Sequence, residues 1–186
     1  MKKTFTAVTF LIFMLLMACR TDPDVVEDIF DVADPGIEKA EDFEMVFSDS
    51  GRIKARISGE ILLHYLDPAD PKDEFPEGVS VLFYNKAGEV QSWLDARYAI
   101  RKGRDQLVVM RDSVVMKNIK GERLHTSELI WDEKVGMVST EKFSKITKVD
   151  GTVLYCYGFE SNEQFTDYTL LSIEGPVNID ALKEEE

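Results

Sequence analysis

Histidine and cysteine are scarce in this chain of 186 residues, with two of each. His64, His125, Cys19 and Cys156 give no metal-ligand spacing. Two cysteines allow at most one disulfide. A Cys156 left alone in a strand reads as a small buried hydrophobe. Basic residues are also in short supply, with 22 Lys and Arg against 35 Asp and Glu and a net charge of −13. That balance argues against a nucleic-acid partner, which selects basic surfaces. It argues equally against broad electrostatic adhesion to anionic headgroups. Catalytic signatures are missing: the chain has no P-loop, GxGxxG, GxSxG or HExxH in a usable context. Among so many acids, neighbouring carboxylates arise without selection, so no glycosidase-type pair can be inferred. The sequence therefore leads us to expect no enzyme and no cofactor.

The first 18 residues do carry a signal. Lys2 and Lys3 precede an apolar run from Phe10 to Met17, then Ala18 and Cys19. A basic start, an apolar core and a small residue before a cleavage point make a secretory signal peptide. The run is short for a membrane span, which needs about 20 apolar residues. The ending Leu16-Met17-Ala18-Cys19 resembles the bacterial lipobox. That likeness implies cleavage before Cys19 and acylation of its thiol, and two or more acyl chains anchor stably where one does not. Residues 19–42 then read as an acidic tether interrupted by Pro23 and Pro35-Gly36. Alternatively, Val26, Ile29, Phe30 and Val32 form a short segment that docks on a membrane partner. Residues 179–186 are a charged tail.

Between them, residues 43–178 read as one β-domain. From Ile53 to Tyr65 the odd positions are mostly apolar and the even ones mostly polar, the period-two signature of a half-buried strand. Gly59 within it predicts a bend or bulge. Residues 67–78 hold three prolines and five acids and read as a surface loop. Val79, Val81 and Phe83 form the next face. Val90, Leu94, Ala96, Tyr98 and Ile100 are expected to continue it against Gln91, Asp95, Arg97 and Arg101. Val153, Tyr155, Tyr157 and Phe159 are expected to bring aromatics to the inner face. Four similar phrases recur, centred on Gly51, Gly88, Gly121 and Gly151. They read as a stack of like units, none of which can bury its apolar face alone, or as four ordinary hairpins. Many short strands with turn signals suggest a sandwich, barrel or jelly roll. The tandem units favour an elongated, twisted β-jellyroll of stacked antiparallel strands whose end edges could accept another chain's strand.

The hairpin Gly121, Leu124, Thr126, Leu129, Trp131, Asp132, then Ser139-Thr140 and Gly158-Phe159, resembles the LptC family, the membrane-anchored periplasmic component of lipopolysaccharide export. The likeness covers roughly residues 40–176. It implies a twisted V-shaped jellyroll whose interior holds lipid A acyl chains. It also implies strand-edge pairing with the transporter subunits LptF or LptG and with an LptA-like bridge protein, in the periplasm at the inner membrane. The outer membrane stays open as the site of the anchor, because known members keep an uncleaved membrane helix where this chain has a lipobox. The lipid-path candidates are the residues read as inward: Ile53, Ile57, Ile61, Val81, Phe83, Val90, Leu94, Tyr98, Leu129, Trp131, Tyr155, Tyr157 and Phe159. Each is equally readable as closed core. The rival expectation is a surface or periplasmic lipoprotein with a closed β-sandwich that binds protein or sugar.

Overall fold

The structure, a computed structural model, describes residues 36–174. Residues 1–18, Cys19, most of the tether and the acidic tail lie outside them. The described chain is all-β. Its strands are β1 (Ile37–Asp49), β2 (Arg52–Tyr65), β3 (Lys72–Phe75), β4 (Val79–Tyr84), β5 (Val90–Ala96), β6 (Tyr98–Lys102), β7 (Leu107–Asn118), β8 (Arg123–Asp132), β9 (Met137–Thr147), β10 (Val153–Asn162), β11 (Tyr168–Leu170) and β12 (Ile173–Glu174). All pairings are antiparallel, in one sheet ordered β11-β10-β9-β8-β7-β5-β4-β2-β3-β6, with β1 on β2 and β12 on β10.

The recurring glycines all fall at hairpin turns, and all four have positive φ. In three of these turns the same two bonds close the loop. The glycine N–H donates to the carbonyl three residues back, as in Gly121 to Asn118 at 3.0 Å, and that residue's N–H donates to the carbonyl after the glycine. Gly88 and Gly151 repeat the pattern. Left-handed φ costs a glycine nothing, so one turn recipe serves three hairpins.

Pairing breaks along a line that crosses the sheet. It passes Gly59 on β2, Gly78 before β4, Arg97 between β5 and β6, Asp112-Ser113 on β7, the Thr126/Ile130 shift on β8 and Gly158 on β10. Asp42, Gly78, Asp112, Ser113 and Gly158 have positive φ. A bulge bends its strand and adds twist, and bulges in register bend the whole sheet. The long strands β2 and β7 cross this line and change partners there. β2 passes from β4 to β3, and β7 pairs with β6 in its first half and with β5 in its second.

The sheet thus folds over on itself into two layers, a jellyroll-like β-sandwich. Trp131 on β8 touches Phe83 on β4 at 5.0 Å between ring centroids and Phe47 on β1 at 5.7 Å, although β5 and β7 lie between β4 and β8 in the ladder. One continuous apolar core fills the space between the layers, from Phe43, Phe75 and Val108 to Leu124, Cys156 and Phe165.

Four expectations change. Strand β1 begins at Ile37, so residues 37–42 belong to the sheet and not to the tether. The segment 67–78 is not all loop: β3 lies within it, with Asp73 and Phe75 buried. Its prolines, Pro71 and Pro76, flank the strand and cost it no ladder bond. The alternation from Val90 does not run on to Ile100. It breaks at Arg97, whose N–H bonds to Asp112, and Ala99 is buried where Tyr98 and Ile100 are only half-buried. Finally, Tyr155 and Tyr157 face outward. Cys156 is the buried residue between them, and the bulge at Gly158 turns the next ring, Phe159, into the core.

Candidate functional site

The space between the layers is the site that the sequence pointed to, and side chains fill it. Ile57, Val81, Phe83, Leu94, Leu129, Trp131 and Phe159 are fully buried and meet in the core. The other candidates lie elsewhere. Ile61 and Val90 are half-buried. Tyr98 is half-buried and donates its hydroxyl to Glu74 at 2.9 Å, and burial together with that carboxylate pushes its pKa up. Ile53 is 39% exposed and lines a surface cleft of about 460 Å³ between the β1–β2 and β4–β5 turns. Tyr155 and Tyr157 are outside altogether. Cys156, buried with its thiol pKa raised by desolvation, is a core residue.

The core around Trp131 is closed by polar devices that the sequence did not signal. The β10–β11 loop folds inward. Phe165 is fully buried against Phe159 at 5.6 Å and Tyr168 at 5.3 Å. Buried side chains hold the loop backbone: Ser92 Oγ donates to the Glu163 carbonyl, and Asn118 Nδ2 donates to the Phe165 carbonyl at 2.8 Å. The Glu163 carboxylate accepts the indole N–H of Trp131 at 2.9 Å, with Lys54 Nζ at 3.8 Å. Burial raises its pKa, because desolvation outweighs the indole and the lysine. Arg101 lies over the Phe47 ring, at 5.0 Å, and that ring in turn packs edge-on against Trp131. Its Nε and Nη2 grip Glu133 at 2.6 and 3.0 Å, and Nη1 reaches Asp73 at 3.3 Å. The Glu133 hydrogen bond, working against desolvation, pushes the guanidinium pKa above its usual value. Asp73 also meets His64 Nδ1 at 2.6 Å. Short polar side chains such as Ser92 and Asn118 take part in no hydrophobic period, so these latches left no pattern to read.

Among the described residues no group of three or more His, Cys, Asp or Glu could hold a metal ion, and no helix is long and apolar enough to cross a membrane. No family model matches the chain, and a search of curated proteins finds no relative.

At the sheet's two margins, among the described residues, β1 pairs only with β2 and leaves the other side of a 13-residue strand without a ladder partner, whereas β10 is partly covered by β11 and β12. Glu38, Glu41, Asp42 and Glu44 make β1 acidic, and its register against β2 shifts between Phe47 and Ser48. Among the described residues no ladder joins β1 to β10, β11 or β12.

Proposed function

We propose that the chain is a membrane-anchored periplasmic component of lipopolysaccharide export, a lipoprotein-type relative of the LptC family that passes lipid A acyl chains between the layers of its β-jellyroll. One observation carries the reading: a single antiparallel sheet folded along a line of bulges into two layers, with a continuous apolar interior and, among the described residues, no ladder joining its β1 margin to its β10–β11 margin. Parting the two margins breaks no ladder hydrogen bond, so a lipid chain could enter between the layers at the cost of side-chain packing. Each buried methylene contributes about 0.8 kcal/mol to holding it there. The edge of β1 is the docking strand for the transporter subunits or the bridge protein.

The closed-sandwich lipoprotein that binds protein or sugar is the second reading, favoured by the inward loop at Phe165 and the filled core. Photo-crosslinking separates the two. A photoreactive side chain at Phe83 or Leu129, in a chain supplied with transporter, ATP and lipopolysaccharide, should capture the lipid. The same group at outward Arg97 should not. Capture from neither inward position in a folded chain favours the closed sandwich.

A further inference from the structure

The outward face of β7–β10 gathers cations beside exposed rings. Lys117 on β7 is directly opposed to Arg123 on β8, and His125 is opposed to Lys145 on β9. Directly opposed like charges, as at Lys117 and Arg123, weaken a ladder. Although the chain has 35 acids, no ion pair engages Lys117, Arg123 or Lys145 among the described residues; Lys117 Nζ lies 5.8 Å from the centre of the Trp93 ring. The same face carries three exposed rings. Phe143 is 45% exposed, stacks on Tyr155 at 5.8 Å and meets Tyr157 at 5.4 Å. Tyr155 is opposed to Lys145, and Tyr157 to Phe143, so rings and cations form one patch. Its acidic neighbour Glu174, opposed to Tyr155, sits at the margin.

An exposed apolar patch rimmed by charge marks an interaction surface. Rings with a polar tip, set among long cationic stems, suit the boundary between water and lipid. A flat sheet face suits a surface better than a small anion, which needs a concavity. We propose that this face docks on an anionic lipid leaflet, with the cations on headgroup phosphates and the rings at headgroup depth. The chain's net charge of −13 keeps its other faces away from such a leaflet, so the patch also sets the orientation of the domain. Net charge, read from composition, averages this face away.

The test uses the full chain and its own lysines. Amine-reactive labelling, read peptide by peptide by mass spectrometry, should show Lys117 and Lys145 protected about fivefold or more by vesicles containing phosphatidylglycerol and not by phosphatidylcholine alone. Lys39 and Lys86, on other faces, should label equally in both. Half-molar salt should abolish the protection, and Tyr155→Ser with Tyr157→Ser should reduce it. Three results would overturn the proposal: equal protection by both vesicle types, equal protection of all four lysines, or the same protection from millimolar inorganic phosphate without vesicles, which would indicate a small-anion site.

Discussion

Strands β8 and β10 cross the same bend and meet it in the same way, yet only one was readable in advance. In β8 the buried positions are Leu124 and Thr126 before the bend and Leu129 and Trp131 after it, so parity switches within the strand. In β10 they are Leu154, partly buried, and Cys156 before the bend, then Phe159 and Ser161 after it, again a switch. The difference is composition. On β8 the large apolar residues are inward on both sides, so identity alone finds the core. On β10 the large residues before the bulge, Val153, Tyr155 and Tyr157, are the outward ones. A period of two tells which residues share a face but not which face is buried, and a single extra residue exchanges the two.

The largest expected effect tests this exchange directly. Phe159 and Tyr157 are rings two positions apart in one strand, on opposite sides of the sheet. Phe159→Ala should cost about 3–5 kcal/mol, the range for emptying an aromatic site in a core. Tyr157→Ala should cost less than about 1 kcal/mol, since its ring is 49% exposed. Equal losses in denaturant unfolding would mean that the face assignment is wrong.

Next in size is the bulge that makes the exchange. Gly158 has φ +87°, and a Cβ placed there would lie 2.9 Å from the Leu171 Cβ. Gly151, in the β9–β10 turn, has the same φ of +87° with nothing within 4 Å. Both alanine variants bear the left-handed strain, about 1–2 kcal/mol. Only Gly158→Ala must also displace the β11–β12 segment, so it should lose more than Gly151→Ala and shift chemical shifts around Leu171. Identical melting points for the two would show that the segment gives way freely.

What the sequence made legible was the class of fold, the hairpin turns and half of the core. Glycines needed at positive φ announced the turns, and the apolar residues of β2, β4 and β8 announced the interior. Three things were hidden, each for a physical reason. β3 is four residues between prolines, too short to show a period. The closing loop is anchored by Ser92, Asn118 and Glu163, single polar residues that a one-dimensional reading places on the surface. The cations of the outward face come from three strands and meet only through pairing, so neither composition nor any local window shows them.

Glu163 gives a smaller effect, with a defined sign. Its pKa is raised in the folded state by burial, so protonation favours folding. The stabilising contribution of the protonated carboxyl is complete below the unfolded value of about 4.3 and is lost as pH rises through the raised folded value. At pH 7 Glu163→Gln, which keeps an oxygen for the Trp131 indole, should therefore unfold at or slightly above the wild-type temperature. Its advantage should shrink as the pH is lowered through the raised value. A variant less stable at pH 7, with the deficit closing in acid, would mean that the Lys54 contact outweighs desolvation.

The smallest effect decides whether the outward rings are a free surface or a second core. Phe143 and Tyr157 lie 5.4 Å apart at 62°, an edge-on geometry that contributes about 0.5–1.5 kcal/mol when buried. With both rings nearly half exposed, water competes for their faces, and the coupling should fall to the bottom of that range. A double-mutant cycle with Phe143→Ala and Tyr157→Ala measures it directly. Coupling near 0.5 kcal/mol, with single losses of similar size, means that the fold gains little from gathering three rings on one outward face. The arrangement is then to be explained by what the face meets. Coupling above about 2 kcal/mol would make the cluster a structural satellite of the core, and β10 would have two buried faces where the bulge at Gly158 now separates one buried face from one open face.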